Sequence, residues 1–544
     1  MSERRVSTVG TLGRRLLLAG VIMTCASCES TSPNVIGQDN SPVAITVQSS
    51  SPWFSAEIQL ATNSPFPSSL PTEMPSPTVS PTPDIAVTPQ PVFVPESKVL
   101  SEVNTGLGSE PTVAASPYEP NLMAVTHQRV AFKDGCDLSG IRISQDGGKT
   151  WTEVSQEPWH GGCPDFHGQV VWGPGPDSGS SRLWYVNAMI VGTHQVSPGV
   201  TYSDDLGKTW APMHIETRTP SWVGGFPDIT VDNNQKSPNF GAVYVAYNWL
   251  ESDKGPGLAV IASRDNGVSW NIAQVPAVKL DDYPYDWRIG YRIKTAPDGS
   301  AYVSFYESLL KSWNSEGTNI FNQGGSSNIG ALGFAIARLH FDPIPNLTPY
   351  GAEHFNYNFT ADPAVWMTSV SENLDLPIDP EWQTGLDIDD LGQVWIAVSN
   401  DGKIDIGHTD DKLESSFWLS LGLDGQSVFK PSLAVSGEMV FVGFHGMDNC
   451  GMVRTYYIIS YDKGETFSSP QLVTPYAWSW SLIGNLTNNV GLRENATSAV
   501  DANGNPVFVY GFGVARNGQP NVDVAVIDPG FQRNTSNDDL GMRN

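Results

Sequence analysis

The chain has 544 residues, a formal net charge of −27 and a pI near 4.5. This negative charge argues against nucleic acid as a partner, because a phosphate backbone would be repelled. Charged residues make up only 16% of the sequence, whereas 52 glycines, 41 prolines and 17 tryptophans are present. That composition is typical of a turn-rich β protein.

The first 28 residues are predicted to be an export signal. Four arginines precede an apolar run from Leu16 to Ala26, which is too short for a permanent membrane helix but suits an export signal. Two small residues stand directly before Cys28, so the segment resembles a bacterial lipobox with Cys28 as the lipidated residue. We therefore expect an exported lipoprotein at the cell surface, in contact with the membrane only through its lipid. Simple secretion is the alternative.

Residues 29–98 are predicted to form a disordered linker. Serine, threonine and proline predominate, as in the stretch from Pro75 to Pro83. Such a segment buries too little apolar surface to offset its ordering entropy. It would hold a following domain away from the membrane.

Seven strand pairs are predicted between residues 99 and 530, followed by a tail at 531–544. Each pair is a short apolar segment, a turn and a β-rich strand, as a hairpin requires. The first segments of the pairs are Glu110–Ala115, Asp165–Trp172, Pro227–Asp232, Arg288–Lys294, Thr384–Asp389, Lys430–Val435 and Arg493–Val500. The second segments are 121–126, 182–187, 242–247, 300–305, 393–398, 439–444 and 506–511.

An eight-residue repeat with the frame Ser-x-Asp-x-Gly-x-Thr/Ser-Trp/Phe occurs between these pairs. Its aspartate is suited to accept hydrogen bonds from the amides of a turn, and its glycine supplies a positive φ. We expect the four aspartates to be structural. They are Asp146, Asp205, Asp265 and Asp462.

This frame resembles the Asp-box, or BNR repeat, of sialidases and related β-propellers. The resemblance implies an all-β fold in which the box lies at the blade periphery, away from the substrate channel. In the first three units each strand pair is followed by a box, and these boxes are 59 and 60 residues apart. The fourth and fifth units have lost their boxes, and the fourth box follows the sixth pair. We therefore expect a single seven-bladed β-propeller, with six blades as the alternative count. The first strand of each blade would line a common axis.

Three further expectations concern the domain. The aromatic residues of the second strands, such as Trp184, Tyr244 and Trp395, are expected between blades. The insertion from Phe341 to Glu381 is too long for a hairpin loop and is expected to overhang one face. Two of the three cysteines in this part of the chain, Cys136 and Cys163, would pair and leave Cys450 unpaired.

Candidate functional residues stand at the starts of the first strands, which converge at the mouth of a propeller channel. Two carboxylates across a sugar are the minimum equipment for glycoside hydrolysis. The candidate catalytic residues are Asp165, Asp228 and Glu494. The candidate substrate-binding residues are Arg288, Arg292, Arg493, His167 and Tyr285. The alternative for each is structural, since a carboxylate ahead of a strand often accepts backbone amides.

Sialidases use a tyrosine assisted by a glutamate as nucleophile, an aspartate as acid/base, and three arginines that hold the substrate carboxylate. Arg288 and Arg493 resemble the second and third arginines. Tyr285, or Tyr306 with Glu307, resembles the nucleophile. The pattern departs from that of sialidases at residues 109–112, where a glutamate replaces the leading arginine.

The sequence thus predicts a cell-surface, sialidase-like propeller that binds a glycan and cleaves it with carboxylates at the channel mouth. The alternative is a non-catalytic propeller that binds a polysaccharide or a protein, because the fold alone does not confer chemistry. We expect a monomer without a cofactor. No metal site is expected either, since His160 and His167 flank Cys163 without a third ligand at a suitable spacing.

Overall fold

The structure is a computed structural model that describes residues 98–103, 108–129, 138–154, 168–191, 195–218, 227–251, 255–276, 285–310, 329–343, 357–369, 383–413, 416–473, 477–479, 497–512 and 521–526. These residues form strands and turns without a helix, so this part of the chain has no helix that could span a membrane. The export signal with Cys28, the linker up to residue 97 and the tail at 531–544 lie outside the described residues.

The described strands form seven antiparallel sheets, which we number as blades in chain order. Blade 1 contains β2 (Gly108–Ala115), β3 (Met123–Arg129), β4 (Leu138–Ser144) and β5 (Thr152–Glu153). Blade 2 contains β6 (Gln169–Pro174), β7 (Ser181–Val191), β8 (Gln195–Ser203) and β9 (His214–Ile215). Blade 3 contains β10 (Asp228–Val231), β11 (Val243–Glu251), β12 (Gly255–Ser263) and β13 (Asn271–Val275).

Blade 4 has five strands, β14 (Tyr285–Thr295), β15 (Ala301–Leu310), β16 (Ile329–Pro343), β17 (Tyr357–Ala361) and β18 (Val365–Ser369). Blade 5 contains β19 (Gly385–Ile388), β20 (Val394–Asn400), β21 (Lys403–Thr409) and β22 (Ser416–Leu421). Blade 6 contains β23 (Gln426–Ser436), β24 (Met439–Asp448), β25 (Met452–Ser460), β26 (Gln471–Leu472) and β27 (Trp478–Ser479). Blade 7 contains β28 (Thr497–Val500), β29 (Pro506–Phe512), β30 (Asn521–Val526) and β1 (Lys98–Val103).

The blades close into a ring. The innermost strands contact one another in the order β2, β6, β10, β14, β19, β23 and β28, and β28 contacts β2 again. The fold is therefore an all-β propeller, and its seven sheets correspond to the seven strand pairs predicted from the sequence. The N-terminal strand β1 pairs with β30 at the outer edge of blade 7, from Lys98 opposite Val526 to Val103 opposite Val522.

Apolar side chains fill the spaces between neighbouring blades, as expected for the second-strand aromatics. Trp184 packs with Val231 and Val245 between blades 2 and 3. Tyr244 lies in the cluster between blades 3 and 4, and Trp395 lies in the cluster between blades 5 and 6. Each blade therefore hides both faces of its twisted sheet against its neighbours.

Each eight-residue box forms a turn between the third and fourth strands of its blade. In the second copy, Asp205 Oδ1 accepts hydrogen bonds from the hydroxyl of Ser203 and from the amide of Thr209, at 2.9 and 2.8 Å. The same contacts recur at Asp146, Asp265 and Asp462. Hydrogen bonds from Thr150 are the main cause that lowers the pKa of Asp146 to about 2.

Two expectations about the domain need correction. The insertion that begins at Phe341 contributes two strands to blade 4, since both β17 and β18 pair with β16. Its described part therefore completes the blade and does not only overhang it. Cys450 forms a disulfide bond, so the expectation that it is left unpaired was wrong. The other cysteines lie outside the described residues.

Candidate functional site

The axial channel contains a cavity of about 910 Å³ that is lined by the innermost strands of all seven blades. Residues of β2, β6, β10, β14, β19, β23 and β28 contribute to its wall. The segments that open at Asp228 and Arg288 thus lie in strands that surround one axis. The sequence-based site residues were chosen on the expectation that the first strands surround a common axis, as these strands do.

Charged residues of the innermost strands lie on one side of this channel. Blades 3, 4 and 5 contribute Asp228, Arg292, Lys294 and Asp387 to the wall. The described first strands of the other four blades contribute uncharged residues, including Thr112, Gln169, Ser432 and Thr497. At the end of the channel that the hairpin turns surround, Lys236, Asp389 and Asp390 also reach the cavity.

Asp228 is the one candidate catalytic carboxylate whose surroundings are described. Its side chain is buried, and its Oδ2 accepts a hydrogen bond from the amide of Ile293 in blade 4 at 2.7 Å. Burial raises the pKa of Asp228, and the charges of Arg292 and Lys294 together with the Ile293 amide oppose this rise. A raised pKa favours the protonated acid.

The contact from Asp228 to the next blade has counterparts elsewhere in the ring. Thr497 Oγ1 in blade 7 accepts the amide of Val113 in blade 1 at 2.8 Å. Asp387 Oδ2 in blade 5 accepts the amide of Val435 in blade 6 at 2.8 Å. A side chain that joins two innermost strands is therefore a repeated structural device, and Asp228 has this role whatever else it does.

Arg292 and Lys294 follow one another on the same face of β14. Lys294 Nζ lies 3.5 Å from Asp387 Oδ1 of blade 5. Arg292 Nη1 donates to the carbonyl of Tyr291 at 3.3 Å, while the buried Arg292 Nη2 has no hydrogen-bond partner among the described residues. Sequence reasoning found Arg292 but missed Lys294 and Asp387, although the alternation of side chains along a strand places Lys294 beside Arg292.

Arg288 and Arg292 lie on opposite faces of blade 4. An irregularity in β14 places Arg288 opposite Glu307 but Arg292 opposite Ser304, and residues an odd number apart on β15 face opposite ways. Arg288 is buried, and its Nη1 donates to the carbonyl of Val275 in blade 3. The structure therefore does not bring these two arginines together around one ligand.

Tyr306 and Glu307 also point in opposite directions. The Tyr306 hydroxyl accepts the amide of Ser399 in blade 5 at 3.0 Å, whereas Glu307 lies 3.4 Å from Arg288 on the other face. The prediction that these two residues form a nucleophile pair is therefore wrong. Tyr285 is part of β14, but its side chain lies outside the described part of the structure.

Lys430 is a buried cation in the interior of the innermost strand β23. Its φ of 50° is unusual for a residue with a side chain, and it lies within an irregularity of β23 like that of β14. Burial and the charge of Lys430 lower the pKa of His445, on the adjacent strand, to about 3. The histidine is therefore neutral at physiological pH.

The remaining predicted site residues are not described. Asp165, His167, Arg493 and Glu494 lie outside the described residues, so their roles stay predictions. Among the side chains that are described, no group of three His, Cys, Asp or Glu residues is placed to hold a metal ion.

Comparison with known proteins supports the fold. The family model described as BNR/Asp-box repeat matches residues 142–153. No curated protein matches the sequence.

Several solved structures resemble the chain at low identity. An α-L-arabinanase from Penicillium chrysogenum is 12% identical, with coverage of 81% of this chain and 97% of that one and a TM-score of 0.41. A polysaccharide lyase of the ulvan lyase type is 11% identical, with coverage of 80% and 96% and a TM-score of 0.42. The NanB sialidase from Streptococcus pneumoniae is 10% identical, with coverage of 78% and 85% and a TM-score of 0.32.

These similarities concern the fold and do not assign a substrate. The matched segment corresponds to the turn between β4 and β5, and three further turns have the same hydrogen bonds. The chain is thus an all-β propeller that carries the BNR/Asp-box repeat.

Proposed function

We propose that this protein is a glycan-active propeller that binds a carbohydrate in its axial channel and cleaves a glycosidic bond with Asp228 as the proton donor. The supporting observation is that Asp228 lines the channel while burial raises its pKa. A general acid must be protonated at the working pH, which a raised pKa favours. Asp165 or Glu494 would act as the base or nucleophile across the sugar.

The test compares wild type with Asp228→Asn, both starting at residue 96, on a panel of aryl glycosides that includes a sialoside. Asparagine retains an acceptor for the Ile293 amide but has no acidic proton. Turnover should therefore fall by about 10²–10⁴-fold, while the unfolding temperature changes little. Thr497→Val is the control, because it removes the corresponding inter-blade contact without a carboxylate. A variant Asp228→Asn that turns over like wild type would contradict the proposal.

A non-catalytic, glycan-binding propeller is the second candidate, and it is favoured by the structural contact of Asp228. If the protein only binds glycans, neither wild type nor Asp228→Asn turns over any glycan in the panel. A sialoside is the less favoured substrate for either candidate, because Arg288 faces blade 3 and pairs with Glu307.

We also propose that the propeller is exported and held at the cell surface by a lipid on Cys28. Labelling of cells with a fatty acid analogue should mark the wild-type chain but not Cys28→Ala. Equal labelling of both chains, or of neither, would contradict the anchor.

A further inference from the structure

The axial channel has a cationic position that the proposed cleavage by Asp228 does not use. Arg292 extends from the innermost strand of blade 4 into the channel wall, and its Nη2 is buried without a hydrogen-bond partner among the described residues. A buried guanidinium nitrogen without an acceptor is costly, so such a group normally has an anionic or polar partner. The position therefore needs an acceptor.

Three aspartates of the channel lining already have partners. Asp228 Oδ2 accepts the amide of Ile293, and burial of Asp228 favours its uncharged form. Asp387 is engaged by Lys294 and by the amide of Val435. Asp389 Oδ1 accepts two amides of its own turn. None of these carboxylates takes up the Nη2 group.

The two cations of β14 lie side by side in a channel whose described lining also contains four aspartates, Asp228, Asp387, Asp389 and Asp390. Arg292 and Lys294 provide two cations on the same face of β14, and Asp387 is the one carboxylate within 4 Å of either among the described residues. Blades 1, 2 and 7 contribute the uncharged residues Thr112, Gln169 and Thr497 to the lining. One unsatisfied arginine beside a lysine suits an oxyanion, because Arg donates in a planar fork to carboxylate, sulfate or phosphate oxygens.

We propose that Arg292, supported by Lys294, forms an oxyanion-binding site inside the axial channel. The oxyanion is either a free inorganic anion or an acidic group of a glycan in the same channel, and only the second form rests on the proposed function. The cavity of about 910 Å³ is large enough for either.

The test is equilibrium dialysis of the full chain with radiolabelled inorganic sulfate at constant ionic strength. Wild type should bind about one sulfate per chain in a saturable manner. Arg292→Gln should weaken this binding at least tenfold and Lys294→Gln by a smaller factor. Arg338→Gln is the matched control, because Arg338 carries the same charge but lies at the outer part of blade 4, paired with Asp298. It should bind sulfate like wild type.

Two further arms identify the source of the oxyanion and separate this proposal from the proposed cleavage. Displacement of sulfate by glucuronate but not by glucose assigns the site to an acidic sugar, whereas sulfate that glucuronate does not displace assigns it to an inorganic anion. Asp228→Asn should still bind sulfate even though glycan turnover is lost. Absence of saturable sulfate binding, or equal loss in Arg292→Gln and Arg338→Gln, would overturn the proposal. Arg292→Lys, which preserves the charge, replaces Arg292→Gln if that variant does not fold, and it should bind more weakly than wild type.

Discussion

A single side chain, Asp228, has both a structural contact and a raised pKa, which its proposed role as a proton donor requires. Its contact with the Ile293 amide joins blades 3 and 4, while burial raises its pKa. The two roles make different demands, because the contact needs only an acceptor oxygen but catalysis needs a proton. Substitution by asparagine separates them.

The raised pKa of Asp228 has a consequence for stability. Because the folded pKa of Asp228 is raised, the carboxyl group ionises above about pH 4 in the unfolded chain but only at a higher pH in the folded one. The free energy of unfolding therefore falls as the pH rises from about 4 towards the folded pKa. Asp228→Asn removes this dependence. The unfolding temperature of wild type should therefore decrease relative to that of Asp228→Asn between pH 4 and pH 7.

Thermal unfolding of both chains at several pH values measures this difference. Thr497→Val removes an uncharged acceptor at a corresponding position. Its unfolding temperature should differ from that of wild type by the same amount at every pH. If the difference in unfolding temperature between wild type and Asp228→Asn were also the same at every pH, Asp228 would be ionised in the folded protein.

The residue scale is also where sequence reasoning was least able to predict the structure. Arg288 and Arg292 both belong to the predicted segment Arg288–Lys294, and a regular strand would place them on the same face. The irregularity between Ile289 and Arg292 reverses one of them. Gly290, with a φ of 62°, lies within this irregularity. A glycine inside a strand is a signal of a bulge, but which side chains the bulge reverses depends on how β14 aligns with β15.

The eight-residue turns are the elements that the sequence predicted best. Their side-chain contacts are local, so the spacing of serine, aspartate and threonine already determines the hydrogen bonds. One feature was missed, since the residue before the glycine also has a positive φ in Leu206, Asn266 and Lys463. These side chains differ in type, and the shared conformation is imposed by the turn.

The turns also contribute to packing between blades. Gly464 of blade 6 lies against Trp395 of blade 5, and a Cβ at this position would come within 2.8 Å of the indole ring. Gly392, in a hairpin turn of blade 5, has a similar φ of +84° but nothing within 4 Å of such a Cβ. Substitutions at these two glycines therefore distinguish the cost of backbone strain from the cost of crowding against a neighbouring side chain.

Gly392→Ala should therefore cost about 1–2 kcal/mol from left-handed strain alone. Gly464→Ala adds the displacement of Trp395 and should cost roughly 2–5 kcal/mol in total. Unfolding by denaturant measures both values. Equal losses in the two variants would mean that the turn and the neighbouring blade do not pack against each other as described.

At the scale of the whole molecule, closure of the ring depends on a pairing that is remote in sequence. The strand β1 comes from the start of the domain and pairs with β30 near its end. The sequence predicted seven strand pairs because each is local, but it gave no signal for this partner of β1. Long-range pairing leaves no periodic pattern that links the two segments.

Removal of β1 should weaken the closure. A chain that starts at residue 105 lacks the outer strand of blade 7 and exposes the edge of β30. It should unfold at a lower temperature and aggregate more readily than a chain that starts at residue 96. Deletion of residues 531–544, which follow β30, is the control and should leave the unfolding temperature unchanged. If the two deletions had equal effects, β1 would not be the strand that closes the ring.

The central claim is that one channel, bounded by the innermost strands of all seven blades, is where a glycan binds. The most direct measurement is a crystal structure of the chain from residue 96 with an oligosaccharide selected by the aryl glycoside panel. The account predicts that the sugar lies on the ring axis, in contact with Asp228 and Arg292. A sugar bound on the outer edge of a blade, with the axial channel unoccupied, would contradict it.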